Sequence, residues 1–384
     1  MPPSVPVMTD RVSWTAVQAR RLDRHFLSRP AASPADAVAA MCGAHAQVRT
    51  AAEVSVALRT GGTADDVRDA VADHTLIRTF GPRGTVHLLP ARDLALWTGA
   101  LPAVPQRSTM PSAVRLTDEQ TDRIVEAVAD ALADAELTAD ELTGAVVDRV
   151  GPWAGDLVMP AFQGFWPRWR QALATAAHRG ALCFGRDRGR QVTYTSPRRW
   201  LPGFRPEETE PALTGVLARY LHAYGPATPQ HFARWLSAPV EWASALFARA
   251  GLRPVDLDGE RMWLNADDTL PGRRTAPALR LLPLFDAHVV GSFPRELLFP
   301  GAAAHRCLAR GQAGNFPVLL VNGVAGGVWH QRRSGRAVHL TVEPFTTLSA
   351  AHRRELDEQV TRLGEVLGRE PRLTIGPVTV GAHA

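Results

Sequence analysis

The stretch that decides the fold of this chain is Leu76-Ile77-Arg78-Thr79-Phe80-Gly81-Pro82-Arg83-Gly84-Thr85-Val86-His87-Leu88-Leu89. Two largely apolar runs flank a turn built from Gly, Pro and Arg, and this pattern predicts a β-hairpin. Helical segments precede the hairpin along the chain. Helices followed by a hairpin with a Gly- and Arg-rich turn are typical of a winged helix-turn-helix.

The helices before this hairpin are marked by their end signals. Ser33 followed by Pro34 predicts an N-cap with proline at the first helical position. Gly61-Gly62 ends the next helix, and Thr63 caps another with an acidic residue in its first turn. We therefore predict helices over residues 12–26, 33–41, 50–58 and 63–73.

The same order of helices and hairpin returns twice. The second copy is predicted to have helices over 117–132, 138–149 and 167–179, then strands 180–184 and 191–194 joined by a basic turn. The third is predicted to have helices over 212–224, 229–236 and 239–250, then short strands at 254–257 and 261–264. The sequence thus predicts three tandem winged helix-turn-helix modules over 10–110, 111–205 and 206–275.

The remainder, 276–384, is predicted to be β-rich. Apolar runs at 281–286 and 317–321 are followed by Asn322-Gly323, a strong hairpin signal. A strand over 325–329 leads into a basic turn, His330 to Arg336, and then a strand over 337–342. A helix over 349–367 and a strand over 373–380 close the fold. The predicted class is therefore α+β.

Composition describes a globular protein. Of the 384 residues, 45% are hydrophobic and 21% are charged, values typical of an ordered chain with two to four compact units. No run reaches the ~20 apolar residues of a membrane span, and residues 1–10 lack the pattern of a secretory signal. Cys42, Cys183 and Cys307 do not form a disulfide framework. We expect a cytoplasmic protein.

All 43 basic residues are arginines, and the chain contains no lysine. A GC-rich genome explains this usage, but the chemical consequence is independent of its origin. No lysine amine is present for Schiff-base chemistry. The basic pI of about 9.8, carried by planar guanidinium groups, suits contacts with phosphates.

Most familiar catalytic patterns are absent. The sequence has no Gly-x-Ser-x-Gly elbow, no P-loop and no dinucleotide-binding glycine motif. Cys42 and His45 lie three residues apart but lack further ligands, so we expect no metal site. By contrast, His45 and Gln47 are polar side chains two residues apart near a helix boundary. Such a pair can direct two side chains to one point and hold a water molecule there.

Three stretches together resemble a known family: Gly43-Ala44-His45-Ala46-Gln47-Val48-Arg49, the hairpin from Leu76 to Leu88, and Leu281-Leu282-Pro283-Leu284-Phe285-Asp286. The chain resembles the AlkZ-like DNA glycosylases, including their YcaQ relatives, from Trp14 to Phe345. That resemblance implies tandem winged helices and the excision of bulky alkylated purines. The family's catalytic pair is usually Gln-x-Gln or Gln-x-Asp. This chain has His45 at the first position, a variant similar to the subgroup associated with intercalating N7-guanine alkylators.

The resemblance implies His45 and Gln47 as the catalytic pair of a monofunctional DNA glycosylase. The expected reaction is hydrolysis of the N-glycosidic bond of bulky N7-alkylguanine adducts, without a cofactor or metal. At its ordinary pKa near ~6.5, His45 is suited to accept the proton of the attacking water. The expected partner is double-stranded DNA carrying alkylated purine lesions, bound by a nucleoid-associated monomer without membrane contact. The candidate DNA-binding residues are Arg49, Arg83, Arg332, Arg333 and Arg336.

A second interpretation belongs to another class. Winged helices are mostly DNA-binding modules, so the chain also fits a non-catalytic regulator or a protein that sequesters a drug or lesion. Two structural predictions accompany both interpretations. Asp286, after an apolar run, is expected to be buried and hydrogen-bonded. Trp153, Trp166 and Trp169 are expected to pack the second module, with stacking on a lesion as the alternative.

Overall fold

The computed structural model describes residues 10–106, 108, 110–161, 164–269 and 277–381. Helices and small antiparallel sheets alternate along the chain, so the predicted α+β class is confirmed. Within the described ranges, no helix combines the length and the apolar character needed to cross a bilayer.

The first unit contains the hairpin predicted from sequence. Its elements are α2 (Pro34–Ala40), β2 (Ala44–His45), α3 (Arg49–Thr60), α4 (Ala64–Ala72), β3 (Leu76–Phe80) and β4 (Val86–Pro90), and α5 (Leu94–Ala100) follows. β4 pairs with both other strands, giving the order β2-β4-β3. Ser33 and Thr63 cap α2 and α4 as expected, and Gly61 ends α3 in the left-handed conformation.

The second unit repeats this pairing. Its elements are α6 (Asp118–Leu132), β5 (Leu137–Thr138), α7 (Ala139–Val150), β6 (Leu157–Ala161), β7 (Gly164–Pro167), α8 (Leu173–His178), β8 (Cys183–Phe184) and β9 (Thr193–Thr195), with sheet order β5-β9-β8. The predicted helix over 167–179 is a 3-10 turn, Arg168–Ala172, followed by α8. The β6–β7 hairpin between α7 and α8 was missed, because its strands are apolar throughout and show no alternation.

The third unit consists of α9 (Thr209–Tyr224), α10 (Pro229–Leu236), α11 (Val240–Arg249), β10 (Arg253–Leu257) and β11 (Glu260–Leu264). Ala227 forms a bridge to Trp263 in β11, at the position taken by β2 and β5 in the other units. The strand β1 (Asp10–Val12), not predicted, pairs in parallel with β10. Its partner lies far along the chain, so local sequence carried no signal for this pairing.

The helix α1 (Trp14–Arg24) also packs on the third unit, although the sequence assigned residues 10–110 to one module. Arg20 donates to the Gly225 carbonyl at 2.9 Å and pairs with Asp268 at 2.7 Å. Arg21, fully buried, donates to the carbonyl of Pro226. The first described elements, β1 and α1, therefore pack on the third unit. The predicted boundary between 275 and 276 lies outside the described residues.

The C-terminal region is a five-stranded sheet in the order β12 (Leu279–Leu282), β13 (Val318–Val321), β14 (Val324–Ser334), β15 (Ala337–Pro344) and β16 (Glu370–Ile375). The helix α15 (Ala350–Leu367) connects β15 to β16, the one parallel pair of that sheet. Three short helices after β12 were not predicted: α12 (Ala287–Gly291), α13 (Arg295–Leu298) and α14 (Ala302–Cys307). Buried residues of the first unit, the second unit and this sheet form one continuous apolar cluster. This cluster holds the units together around the His45 segment.

Candidate active site

The His45 segment reaches the first sheet through a tight turn. Cys42 and Gly43 both have positive φ, and a Cβ on Gly43 would lie 2.9 Å from the Leu89 side chain. Only glycine fits there without displacing the hairpin. The chain then pairs with β4, placing His45 opposite His87.

The His45 ring lies between two other rings. Its centroid is 4.7 Å from that of Phe285, in a stacked arrangement, and 5.2 Å from that of His87, edge to face. Its Nδ1 is buried without a hydrogen-bond partner. Burial, and then the positive charge of Arg83, lower the pKa of His45 to about 4. The imidazole is thus neutral at physiological pH, and the sequence-based value near ~6.5 is not what this environment gives.

The neighbouring His87 is held in one tautomer. Its Nδ1 lies 2.8 Å from the Thr85 carbonyl, and since a carbonyl only accepts, Nδ1 carries the proton. Burial lowers the pKa of His87 well below its ordinary value, and the adjacent His45 lowers it further. Two imidazoles in contact therefore stay neutral together.

Gln47 lies where the segment leaves the sheet and is exposed. Its Oε1 accepts a long hydrogen bond, 3.5 Å, from the backbone N–H of Val86. The side chain lies on the wall of a cleft of about 620 Å³ between the first and second units. This volume is in the usual range for a small-molecule site, ~300–1,000 Å³.

Aromatic rings and guanidinium groups share the walls of this cleft. The rings belong to Phe80, Trp166, Phe184 and Tyr194. Arg78 lies over the Phe184 ring at 4.3 Å, and Arg170 over the Trp166 ring at 4.4 Å. Each guanidinium group thus makes a cation–π contact with a ring of the cleft lining. We call this the aromatic cleft.

Two of the predicted DNA-binding arginines are engaged within the protein. Arg49 forms ion pairs with Asp187 of the second unit and with Glu53, while 56% of its side chain remains exposed. Arg83 has a left-handed backbone, and its Nη1 donates to the Trp235 carbonyl at 2.7 Å. Burial lowers the pKa of Arg83. Contact of Arg83 with a phosphate would require it to leave this carbonyl.

Arg332, Arg333 and Arg336 are all exposed. The predicted turn over 330–336 is wrong: β14 continues to Ser334, which pairs with Ala337, so the turn is Gly335-Arg336. The prediction ended this strand at residue 329, whereas β14 extends to Ser334. In the described sheet, β13 pairs only with the first half of β14, and the second half pairs only with β15. Adjacent strand residues face opposite sides, and Arg333 lines a small cavity beside α3 and α4.

Asp286 is buried and hydrogen-bonded, as predicted. Its two carboxylate oxygens accept from Arg59 at 2.8 and 2.9 Å, and Oδ2 also accepts from Ser55 at 2.7 Å. Both members of the ion pair have no exposed side-chain surface. Their bonds tie the loop after β12 to helix α3, which begins two residues beyond Gln47.

The predicted tryptophan group divides in the structure. Trp169 is fully buried and donates to Thr143 at 3.0 Å, whereas Trp153 is partly buried against the second unit. Trp166 is 41% exposed and lines the aromatic cleft. The packing role therefore holds for Trp153 and Trp169.

Sequence reasoning missed the ring neighbours of His45. Phe285 belongs to the motif Leu281–Asp286, whose pattern pointed only to its neighbour Asp286. His87 follows from strand register, which one sequence does not give reliably. Among the described residues, no group of three His, Cys, Asp or Glu is placed to bind a metal.

Repeated helix-and-hairpin units surround the segment of His45 and Gln47, and Gln47 lines the aromatic cleft. Residues 38–366 match the sequence model of a protein family that is described as "DNA glycosylase AlkZ-like". The chain belongs to this family. It is therefore a DNA glycosylase, an enzyme that hydrolyses N-glycosyl bonds in DNA.

Two comparisons with Streptomyces sahachiroi proteins agree with this assignment. The chain is 33% identical over 339 residues to an interstrand DNA cross-link repair glycosylase, covering 83% of this chain and 88% of the relative. It also resembles the solved structure of the DNA glycosylase AlkZ, with a TM-score of 0.79 and 28% identity, over 95% of this chain and 100% of that chain.

Proposed function

We propose that this enzyme is a monofunctional glycosylase that releases bulky N7-alkylguanine from double-stranded DNA, with His45 and Gln47 acting on the attacking water. The observation that carries the proposal is the placement of Gln47. It lies at the end of the strand that holds His45 and on the wall of the aromatic cleft. A base with a large attached group in the cleft would bring its sugar next to this pair.

The leaving group sets what the protein must supply. Alkylation at N7 makes guanine cationic, so the base departs without a strong general acid. The remaining task is to place a water at C1′ and to stabilise the oxocarbenium-like sugar. The Gln47 amide orients the water through hydrogen bonds but is a negligible base.

Neutral His45 fits this task in two ways. An uncharged imidazole does not repel the positive charge that develops on the sugar, and it is the form that accepts a proton. Burial keeps it in that form. With no lysine in the chain, Schiff-base chemistry on the sugar has no side-chain amine, which favours an abasic-site product and no strand cleavage.

We also propose that the three repeated units are winged helices and that they form the platform for DNA. The shared strand pairing of the three sheets and the family of the chain support this assignment. Arg332, Arg333 and Arg336 are exposed at the end of the β14–β15 hairpin and are our candidates for phosphate contacts, joined by Arg49. We expect a nucleoid-associated monomer in the cytoplasm.

Interstrand cross-links are a second candidate substrate. The observation in favour is that the 33% identical relative is named as a cross-link repair glycosylase. A cross-link joined through guanine N7 presents the same cationic base and the same bond to the pair His45 and Gln47.

The test is base release from a duplex carrying one N7-alkylguanine intercalator adduct, with an abasic-site endonuclease converting abasic sites into strand breaks. We expect breaks that depend on the endonuclease with the wild-type enzyme. The variant His45→Ala with Gln47→Ala should abolish them while DNA affinity stays within about twofold. Absence of release from this adduct, from N7-methylguanine and from a cross-link would overturn the proposal.

A further inference from the structure

The β6–β7 hairpin of the second unit is the part of the molecule whose apolar side chains remain uncovered. Leu157 and Phe165 are 64% and 59% exposed, the two largest exposed fractions among the large apolar residues of the described chain, and Trp166 of the same hairpin is 41% exposed. The hairpin interrupts the helix-turn-helix between α7 and α8, where the other two units have short connections.

The two faces of the hairpin differ in what they meet. Met159 pairs with Trp166 across the hairpin, and both line the aromatic cleft. Pro160 pairs with Phe165, whose side chain points to the opposite face by strand alternation. One face of the hairpin is therefore a wall of the cleft that contains Gln47, and the other is not.

Two guanidinium groups lie over aromatic rings in the lining of the cleft. Arg170 lies over the Trp166 ring, and Arg78 lies over the Phe184 ring. The Arg78 Nε is buried without a hydrogen-bond partner, and burial lowers the pKa of this side chain. Arg78 also lines the cleft, and its guanidinium group carries further N–H donors for an oxygen acceptor on an occupant.

We infer that the aromatic cleft binds the planar, oxygen-bearing polycyclic part of the guanine adduct, with Trp166 stacking on it and Arg78 donating to it. This inference rests on the proposed function, because it places the adduct's guanine next to Gln47. Trp166 is thereby a specificity-determining residue: it distinguishes bulky planar adducts from small alkyl groups and leaves the chemistry at the sugar unchanged.

The experiment measures binding without turnover. Three duplexes carry, at one guanine, the N7 adduct of aflatoxin B1 epoxide, an N7-methyl group, or no modification. A 2′-fluorine on the sugar of each modified nucleotide prevents base release. Wild-type enzyme should bind the aflatoxin duplex more tightly than the other two.

Trp166→Ala should weaken binding of the aflatoxin duplex about tenfold, the usual effect of losing one stacked ring, and leave the other two within about twofold. Trp166→Phe should restore most of the difference, since it keeps a ring. Arg78→Met should weaken the same duplex selectively. Phe165→Ala is the matched control from the other face of the same strand and should bind all three duplexes as the wild type does.

Three results would overturn the inference: equal loss on all three duplexes with Trp166→Ala, an equal effect of Phe165→Ala, or no preference of the wild type for the planar adduct. The first two would make the hairpin a general DNA-contacting element. Thermal unfolding checks that each variant is folded, and Trp166→Phe serves if the alanine variant is not. Base release by the wild type from unfluorinated duplexes tests the proposed function separately.

Discussion

The ring of Phe285 stacks on the ring of His45 with 4.7 Å between centroids. The next residue, Asp286, is bound by Arg59 and Ser55 of helix α3. That helix begins directly after the segment that carries His45 and Gln47. Helix α3 thus positions both the candidate catalytic segment and the loop that packs against it, although these two parts are distant in the sequence.

Phe285→Ala should therefore lower the rate constant for base release about tenfold while the dissociation constant for DNA stays unchanged. Loss of the ring frees the His45 side chain to adopt other rotamers, and such a misplacement acts on the chemical step. Phe285→Tyr keeps the stack and should retain the wild-type rate. Single-turnover kinetics measure the rate, and equal losses in both variants would contradict a positioning role.

The pH dependence of base release follows from the lowered pKa of His45. In the proposed mechanism the active form is the neutral imidazole, so we expect the rate to fall as pH drops through the pKa of about 4. We expect a constant rate between about pH 8 and pH 5 after subtraction of spontaneous depurination. If His45 had the ordinary pKa of a histidine, the rate would instead fall to half its maximum at about pH 6.5. A midpoint there would contradict the buried, neutral state.

Acid should destabilise the fold well before the carboxylates titrate. Burial lowers the pKa values of His231 and His288 to about 3 each. The neutral form is favoured in the folded state, so the stability is fully present above the unfolded pKa and is lost as pH falls from ~6.5 toward the folded value. In this pH range, each of the two histidines lowers the free energy of unfolding by about 1.4 kcal/mol per pH unit. Urea unfolding at several pH values measures it.

His288→Leu supplies the control for the acid effect. It removes one titrating group whose ring nitrogens have no hydrogen-bond partner. The slope of unfolding free energy against pH should become shallower below ~6.5. An unchanged slope would assign the acid sensitivity to other groups.

Asp286→Asn should destabilise the protein by about 3–5 kcal/mol, because it leaves the Arg59 guanidinium buried without its counter-charge. Neither side chain of the pair has exposed surface. The control is Arg179→Ala, which breaks an exposed pair with Asp122 and should cost under ~1 kcal/mol. Denaturant midpoints at constant m-value measure the loss of stability in each variant. Similar losses in the two variants would contradict the argument from burial.

Arg332→Ala with Arg336→Ala should weaken binding of undamaged duplex and flatten its salt dependence. Each lost phosphate contact reduces the slope of log affinity against log salt by about 0.9. Both side chains are exposed at the end of the β14–β15 hairpin. The control is Arg83→Ala, whose side chain donates to the Trp235 carbonyl and should leave the slope unchanged. An unchanged slope in the double variant would refute the contact.

Local signals in the sequence determined many of the helix ends and the first hairpin. Ser33, Thr63, Gly61 and the Gly-Pro turn after Phe80 act within a few residues, so their effects are visible without the fold. The candidate pair His45 and Gln47 came from the family resemblance and stays a prediction. Local signals did not predict β1, because its partner β10 is distant in the sequence. They also did not predict the full length of β14, which depends on pairing with β15.

The tertiary structure alone decided the environment of the site. The low pKa of His45 arises from burial and from Arg83, and its ring is held by Phe285 from another part of the chain. The aromatic cleft exists because the second unit places Trp166 and Tyr194 opposite Gln47. Burial, electrostatic fields and ring contacts depend on distances between segments far apart in sequence, and the packing of the units around their shared apolar cluster sets those distances.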